Sequence, residues 1–103
     1  MHIQTVITGD TATLTVEGRF DFGGRQVFKA AAEKALDDPQ AGDIVIDLRR
    51  ADYIDSAALG MLLLLRDKAH ALRKTVRLTA RAGVVCDVLG VAQFGKTFTL
   101  DVE

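Results

Sequence analysis

Residues 44–65 read Ile44-Val45-Ile46-Asp47-Leu48-Arg49-Arg50-Ala51-Asp52-Tyr53-Ile54-Asp55-Ser56-Ala57-Ala58-Leu59-Gly60-Met61-Leu62-Leu63-Leu64-Leu65. The opening of this stretch, Ile44 to Leu48, is almost continuously apolar. That is the pattern of a strand lying centrally in a sheet or covered by helices on both faces. From Asp55 or Ser56 to about Leu72 the apolar residues run round more than one face of a 3.6-residue period, which predicts a helix. An Asp-Ser pair directly before such a pattern is a helix-cap signal, since either side-chain oxygen accepts a free N–H of the first turn. A short connector from Arg49 to Ile54 joins the strand to the helix.

The flanking sequence extends this unit in both directions. Upstream, the β-rich run Ile3–Thr8 stops at Gly9-Asp10, after which Ala12, Leu14 and Val16 alternate with Thr13, Thr15 and Glu17. This is a hairpin with one buried face. Between Gly24 and Asp38, Val27, Phe28, Ala31, Ala32, Ala35 and Leu36 recur at helical spacing with Lys29, Glu33 and Lys34 opposite, and Pro39 marks the end. Downstream follow a strand at Thr75–Ala80, a short helix near Gly83–Leu89, and an alternating strand with Phe98, Leu100 and Val102. The order ββαβαβαβ predicts an α/β fold. Its mixed sheet combines an antiparallel opening pair with strands joined through helices by right-handed parallel crossovers.

A chain of 103 residues suits one domain, 1–103, and its 49% hydrophobic and 26% charged residues with a single proline exclude disordered, collagenous and disulfide-scaffold classes. Thirteen basic against fourteen acidic residues leave a net charge of −1, so no overall field gathers nucleic acid. The longest apolar run, Ala57 to Leu65, is far short of the roughly 20 residues of a membrane span, and no membrane insertion is expected. A lone Cys86 and an N-terminus without the regions of a signal peptide point to the cytoplasm. Monomer and weak dimer are both compatible with this composition.

Ser56 is the only serine of the chain. At a loop-to-helix junction its hydroxyl lies at or near the surface, within reach of a kinase. A helix N-terminus tolerates phosphate, because its free N–H groups and dipole both favour negative charge. A phosphate there adds roughly −1.5 to −2 charge beside Asp55 and acts on whatever docks over it, with the fold kept. The helix that follows carries more apolar girth than one sheet face hides. Part of Met61–Leu65 is then either covered by another element or exposed as a partner patch.

On these residues the chain resembles the STAS domain of the anti-sigma factor antagonist (anti-anti-sigma) family, over essentially its whole length. The motif stands as Asp47-Leu48 followed by Tyr53-Ile54-Asp55-Ser56-Ala57-Ala58-Leu59-Gly60, with a Gly-x-x-Asp turn at Gly18-Arg19-Phe20-Asp21. The resemblance implies a STAS fold and a non-enzymatic, phosphorylation-switched binding protein. In it, unphosphorylated chain binds an anti-sigma factor with serine kinase activity and frees the sigma factor. Phosphorylation of Ser56 switches binding off, and a PP2C-like phosphatase restores it. Asp21 and Asp55 match acidic positions flanking the phosphorylation site, and the docking surface takes in Ala57, Ala58, Leu59 and Met61. Ala57 stands where Ser or Thr is common and Ala58 where Gly is common, the extra methyl altering how closely a partner approaches. A constitutive accessory subunit of a lipid-transport ABC complex is the alternative use of the same surface.

Other candidates carry less. Cys86 among Val84, Val85 and Val88 reads as a small buried hydrophobe. His2 and His70 have no ligand at metal spacing. Asp47, Asp52 and Asp55 read as solvated loop carboxylates and not a metal site, since no phosphate-cradling glycine loop accompanies them. Arg66, Lys68, His70, Arg73, Lys74, Arg77 and Arg81 read as a solvated basic face. No catalytic triad assembles around the one serine, and no cofactor fingerprint is present.

Overall fold

The chain first reverses at Gly9-Asp10, where Gly9 adopts φ +60 and Asp10 does not take a positive φ. This is the pattern of a two-residue II′ hairpin turn, and it pairs Thr8 with Thr11. The computed structural model describes Met1–Glu103. It contains β1 (His2–Thr8), β2 (Thr11–Phe20), α1 (Arg25–Asp37), β3 (Asp43–Ile54), α2 (Ser56–Ala71), β4 (Thr75–Ala80), α3 (Val84–Val91) and β5 (Thr99–Val102), with 3-10 turns at Phe22–Gly24 and Phe94–Lys96. The five strands form one sheet in the order β1-β2-β3-β4-β5, spatial order repeating chain order. β1 and β2 are antiparallel and every later pair is parallel. The predicted order and the mixed sheet with β3 at its centre are what the structure contains.

Register explains where the core lies. Thr5, Leu14, Ile46, Leu78 and Leu100 stand in one row across the sheet, and Ala12, Ile44 and Val76 in the next. The buried members of these rows share a single core with Phe28, Ala32, Ala35 and Leu36 of α1, Ala58, Leu62, Leu65 and Ala69 of α2, and Val85 and Leu89 of α3. All crossovers step the same way along the sheet, so the right-handed rule sets every helix on the same side. The other face is open and polar. Its rows are Thr11–Asp43–Thr75, Thr13–Val45–Arg77–Thr99 and Thr15–Asp47–Thr79–Asp101.

Of the two settings that the apolar run of β3 allows, the structure takes the central strand, with helices on one face only. Val45 is half-buried on the open side, where its β-branched side chain makes the strand look doubly covered. Several expectations are corrected here. The connector Arg49–Ile54 is strand, because the ten-residue β2 still offers partners there: Glu17 pairs Arg50 and Phe20 pairs Ile54, across two register shifts. Val27, placed on the buried side of α1, is 48% exposed. Asp47 is not a solvated loop carboxylate. It sits on β3 at 7% exposure, clasped by Arg49, whose Nε and Nη2 each donate to it at 2.9 Å. This pairing, assisted by the Arg49 backbone N–H, outweighs the effect of burial and holds the Asp47 carboxyl below its ordinary 3.8.

Within the basic stretch Lys68, His70, Arg73 and Arg81 are exposed, as a solvated face requires, while the other three residues take up local tasks. Arg66 Nε donates to the Thr97 carbonyl at 2.9 Å, and Lys74 Nζ donates to the carbonyls of Ala35 and Asp38 at the end of α1. Arg77 donates to Asp43 on the open face. Burial pushes the Asp43 carboxyl up, but the hydrogen bonds from Arg77 and Thr75 prevail and leave it lowered.

Candidate functional site

The carboxyl ends of parallel strands are where α/β sheets collect their sites, because the chain leaves each strand there to start a helix. β2 and β3 end side by side, with Arg19 opposite Tyr53 and Phe20 opposite Ile54. From these ends emerge Asp21 and Phe22 on one chain segment and Asp55 and Ser56 on the other.

Asp55 ties the two segments together. It is the N-cap of α2 in extended backbone, and its Oδ1 accepts from the Ala58 N–H at 2.8 Å. Its Oδ2 accepts from the Phe22 N–H at 3.2 Å, and its own N–H donates to the Phe20 carbonyl at 3.3 Å. The Leu59 N–H donates to the Asp55 carbonyl, closing the first turn. Of the two oxygens that the Asp-Ser pair offers, the carboxylate is the one that caps.

Ser56 is therefore left over. It is the first residue of α2, exposed, and its hydroxyl enters no hydrogen bond. Asp21 opens the 3-10 turn and accepts a long 3.4 Å contact from Arg19 Nε, while its carbonyl accepts from Gly24. Asp52 is exposed, and Asp47, Asp52 and Asp55 do not gather into one cluster.

Of the remaining docking candidates, Ala57, Leu59 and Met61 are half-buried and present part of their surface. Ala58 is not on the surface at all. At 0% exposure its methyl fills the core beneath the first turn of α2, and only its N–H takes part in the site, as the donor to Asp55. The helix exposes Leu63 and Leu64, at 39% and 55%, while Leu62 and Leu65 are buried. Leu64 and Met61 line a groove of ≈ 370 Å³ between α1 and α2, whose rim carries Arg25, Lys29 and Lys68.

Two aromatic residues at this end of the sheet are absent from the predicted docking residues. Phe22 is 58% exposed beneath the Arg25 guanidinium, 4.0 Å from the ring centroid. Tyr53 lies under Arg19 at 3.9 Å. The first pair is visible in sequence as an i, i+3 spacing, whereas the second exists only once β2 and β3 are paired. Exposed aromatics held by arginines are the residue types that anchor protein interfaces.

The family model described as "Mlab, STAS domain" matches residues 3–101. A STAS-domain containing protein of Pseudomonas aeruginosa strain UCBPP-PA14 is 40% identical over 92 residues, 89% of each chain. Among solved structures, an anti-sigma factor antagonist from Mycobacterium paratuberculosis superposes with a TM-score of 0.87 at 19% identity, over 97% of this chain and 84% of that one. The phosphorylated form of the Bacillus cell fate determinant SpoIIAA superposes with a TM-score of 0.76 at 16% identity, over 99% and 91%. At these identities the two structures speak for the fold.

Proposed function

The chain belongs to the STAS domain family, and from that membership we propose that it is an anti-sigma factor antagonist switched at Ser56. The observation that carries the reading is the spare hydroxyl at the first position of α2, exposed and excused from capping by Asp55. Solved neighbours of the same fold include an anti-sigma factor antagonist and a phosphorylated cell fate determinant, which supports transferring that role to this chain.

In the unphosphorylated form, the surface formed by Asp21, Ala57, Leu59 and Met61, with Phe22 and Tyr53 added by the structure, docks an anti-sigma factor that is also a serine kinase. The kinase transfers the terminal phosphoryl group of a nucleoside triphosphate to Ser56 Oγ. The new O–P bond replaces the bond to the leaving diphosphate, and the hydroxyl proton is released. Phosphate beside Asp55 and Asp21 then places about two further negative charges among carboxylates at the centre of the contact, where unpaired charge is costly. The domain itself is unstrained, since phosphate at a helix N-terminus is tolerated. Hydrolysis by a PP2C-like phosphatase returns the hydroxyl and inorganic phosphate.

Wild-type, Ser56→Ala and Ser56→Asp proteins used as baits in host extract test this reading, with retained proteins identified by mass spectrometry. A kinase-like anti-sigma protein should be held by the first two and lost from the third. Incubation of that kinase with ATP should phosphorylate wild type and leave Ser56→Ala unmodified. Retention of one and the same set of proteins by all three baits, or phosphate on Ser56→Ala, overturns it.

A further inference from the structure

β1 is a free edge of the sheet, and the hairpin turn determines which of its groups are unpaired. In a two-residue hairpin the flanking residues, here Thr8 and Thr11, exchange both hydrogen bonds. Alternation then turns the N–H and C=O of Thr8, Val6, Gln4 and His2 toward β2, and those of Ile3, Thr5 and Ile7 outward. No loop or side chain reaches those outward groups.

Natural edge strands are guarded by charge, proline, bulges or brevity. β1 has seven residues, pairs with β2 without a register shift, and contains no proline, lysine or carboxylate. It exposes Val6 at 50% and Ile7 at 38%. The opposite edge, β5, has four residues, with Asp101 in the strand and Glu103 just beyond it.

We infer that β1 is a self-pairing edge, through which two copies of this chain join antiparallel about a two-fold axis at Thr5. An axis normal to the sheet keeps both helical layers on one side, so opposed residues must share a face and their numbers must agree in parity. Centring on Thr5 is the register that overlaps the whole strand. Ile3 then faces the partner's Ile7 on the helical side, where Ile3 already packs against the core. Gln4 faces the partner's Val6, and His2 the partner's Thr8, on the open side. Ile3, Thr5 and Ile7 become hydrogen-bonded pairs, two bonds at each, so every outward group of β1 is satisfied. No like charges meet, because the two His2 side chains lie at opposite ends of the ladder. One strand pair buries less than the about 1,200 Å² of a standard interface, which makes the dimer weak and concentration-dependent. This inference stands independently of the Ser56 switch.

Sedimentation velocity of the full chain should show a weight-average mass rising from the 11.1 kDa protomer toward twice that value between micromolar and millimolar concentration. Thr5→Pro removes one outward N–H and no bond to β2, so it should abolish the rise while circular dichroism stays unchanged. Ile7→Lys, which needs no backbone change, should do the same and serves as the second variant if the proline version fails to fold. In a Cys86→Ala background, Thr5→Cys should be captured as a dimer by a short bismaleimide and Thr99→Cys, on the far edge, should not. A mass constant at the protomer value overturns the inference, as does a dimer that survives both edge variants or is cross-linked at position 99.

Discussion

Asp55 and Ser56 are neighbours with opposite duties. The carboxylate holds the first turn of α2 and the Phe22 N–H, while the hydroxyl holds nothing. Asp55→Ala should therefore cost about 0.5–2 kcal/mol of unfolding free energy in a urea titration, the range for a lost N-cap. Ser56→Ala should stay within about 0.5 kcal/mol of wild type, as exposed substitutions do. The pair was legible in sequence as a cap, but not which oxygen would serve. That choice is made by Phe22, which arrives from a segment 33 residues away. Ala58 was misplaced for a related reason. In the first turn of a helix one residue faces solvent and the next faces the sheet, and only the packed helix reveals which is which.

At the scale of the element, α2 was readable as a helix of excess apolar girth, and the structure divides that girth unevenly. Leu62 is fully buried and Leu64 is the most exposed of the four consecutive leucines. Leu62→Ala should cost about 2–5 kcal/mol in the same urea titration, and Leu64→Ala less than about 1 kcal/mol. Equal losses would mean that the groove beside α1 is closed in solution. β3 shows where periodicity fails. Its first half announces itself by apolar residues, whereas its second half, rich in Arg and Asp, is held in the sheet by β2. The end of α1 is similar, since Lys74, a surface charge in sequence, donates to the terminal carbonyls of that helix from 36 residues away.

For the whole molecule, the crossover rule made the topology readable from element order alone, while the bare face of the sheet was not, because Val45 hid it. That face carries its own electrostatics. Arg49 bridges Asp47 to Glu103, and Arg77 bridges Asp43 to Asp101. Asp43 and Asp47 both titrate below 3.8 in the fold, so their contribution to stability is complete above that value and is lost as pH falls through their lowered values. Unfolding free energies measured by urea at stepped pH should accordingly fall from about pH 4 downward, less steeply for Asp47→Asn. An Asp47→Asn slope equal to that of wild type would remove this carboxylate from the account. The agreement of spatial order with chain order reaches further, to the making of the protein. Each strand adds to the outside of a sheet already begun, and none has to be threaded between two that are paired. For every strand after the first, a nascent chain leaving the ribosome thus already holds a neighbour to pair with before that strand is complete.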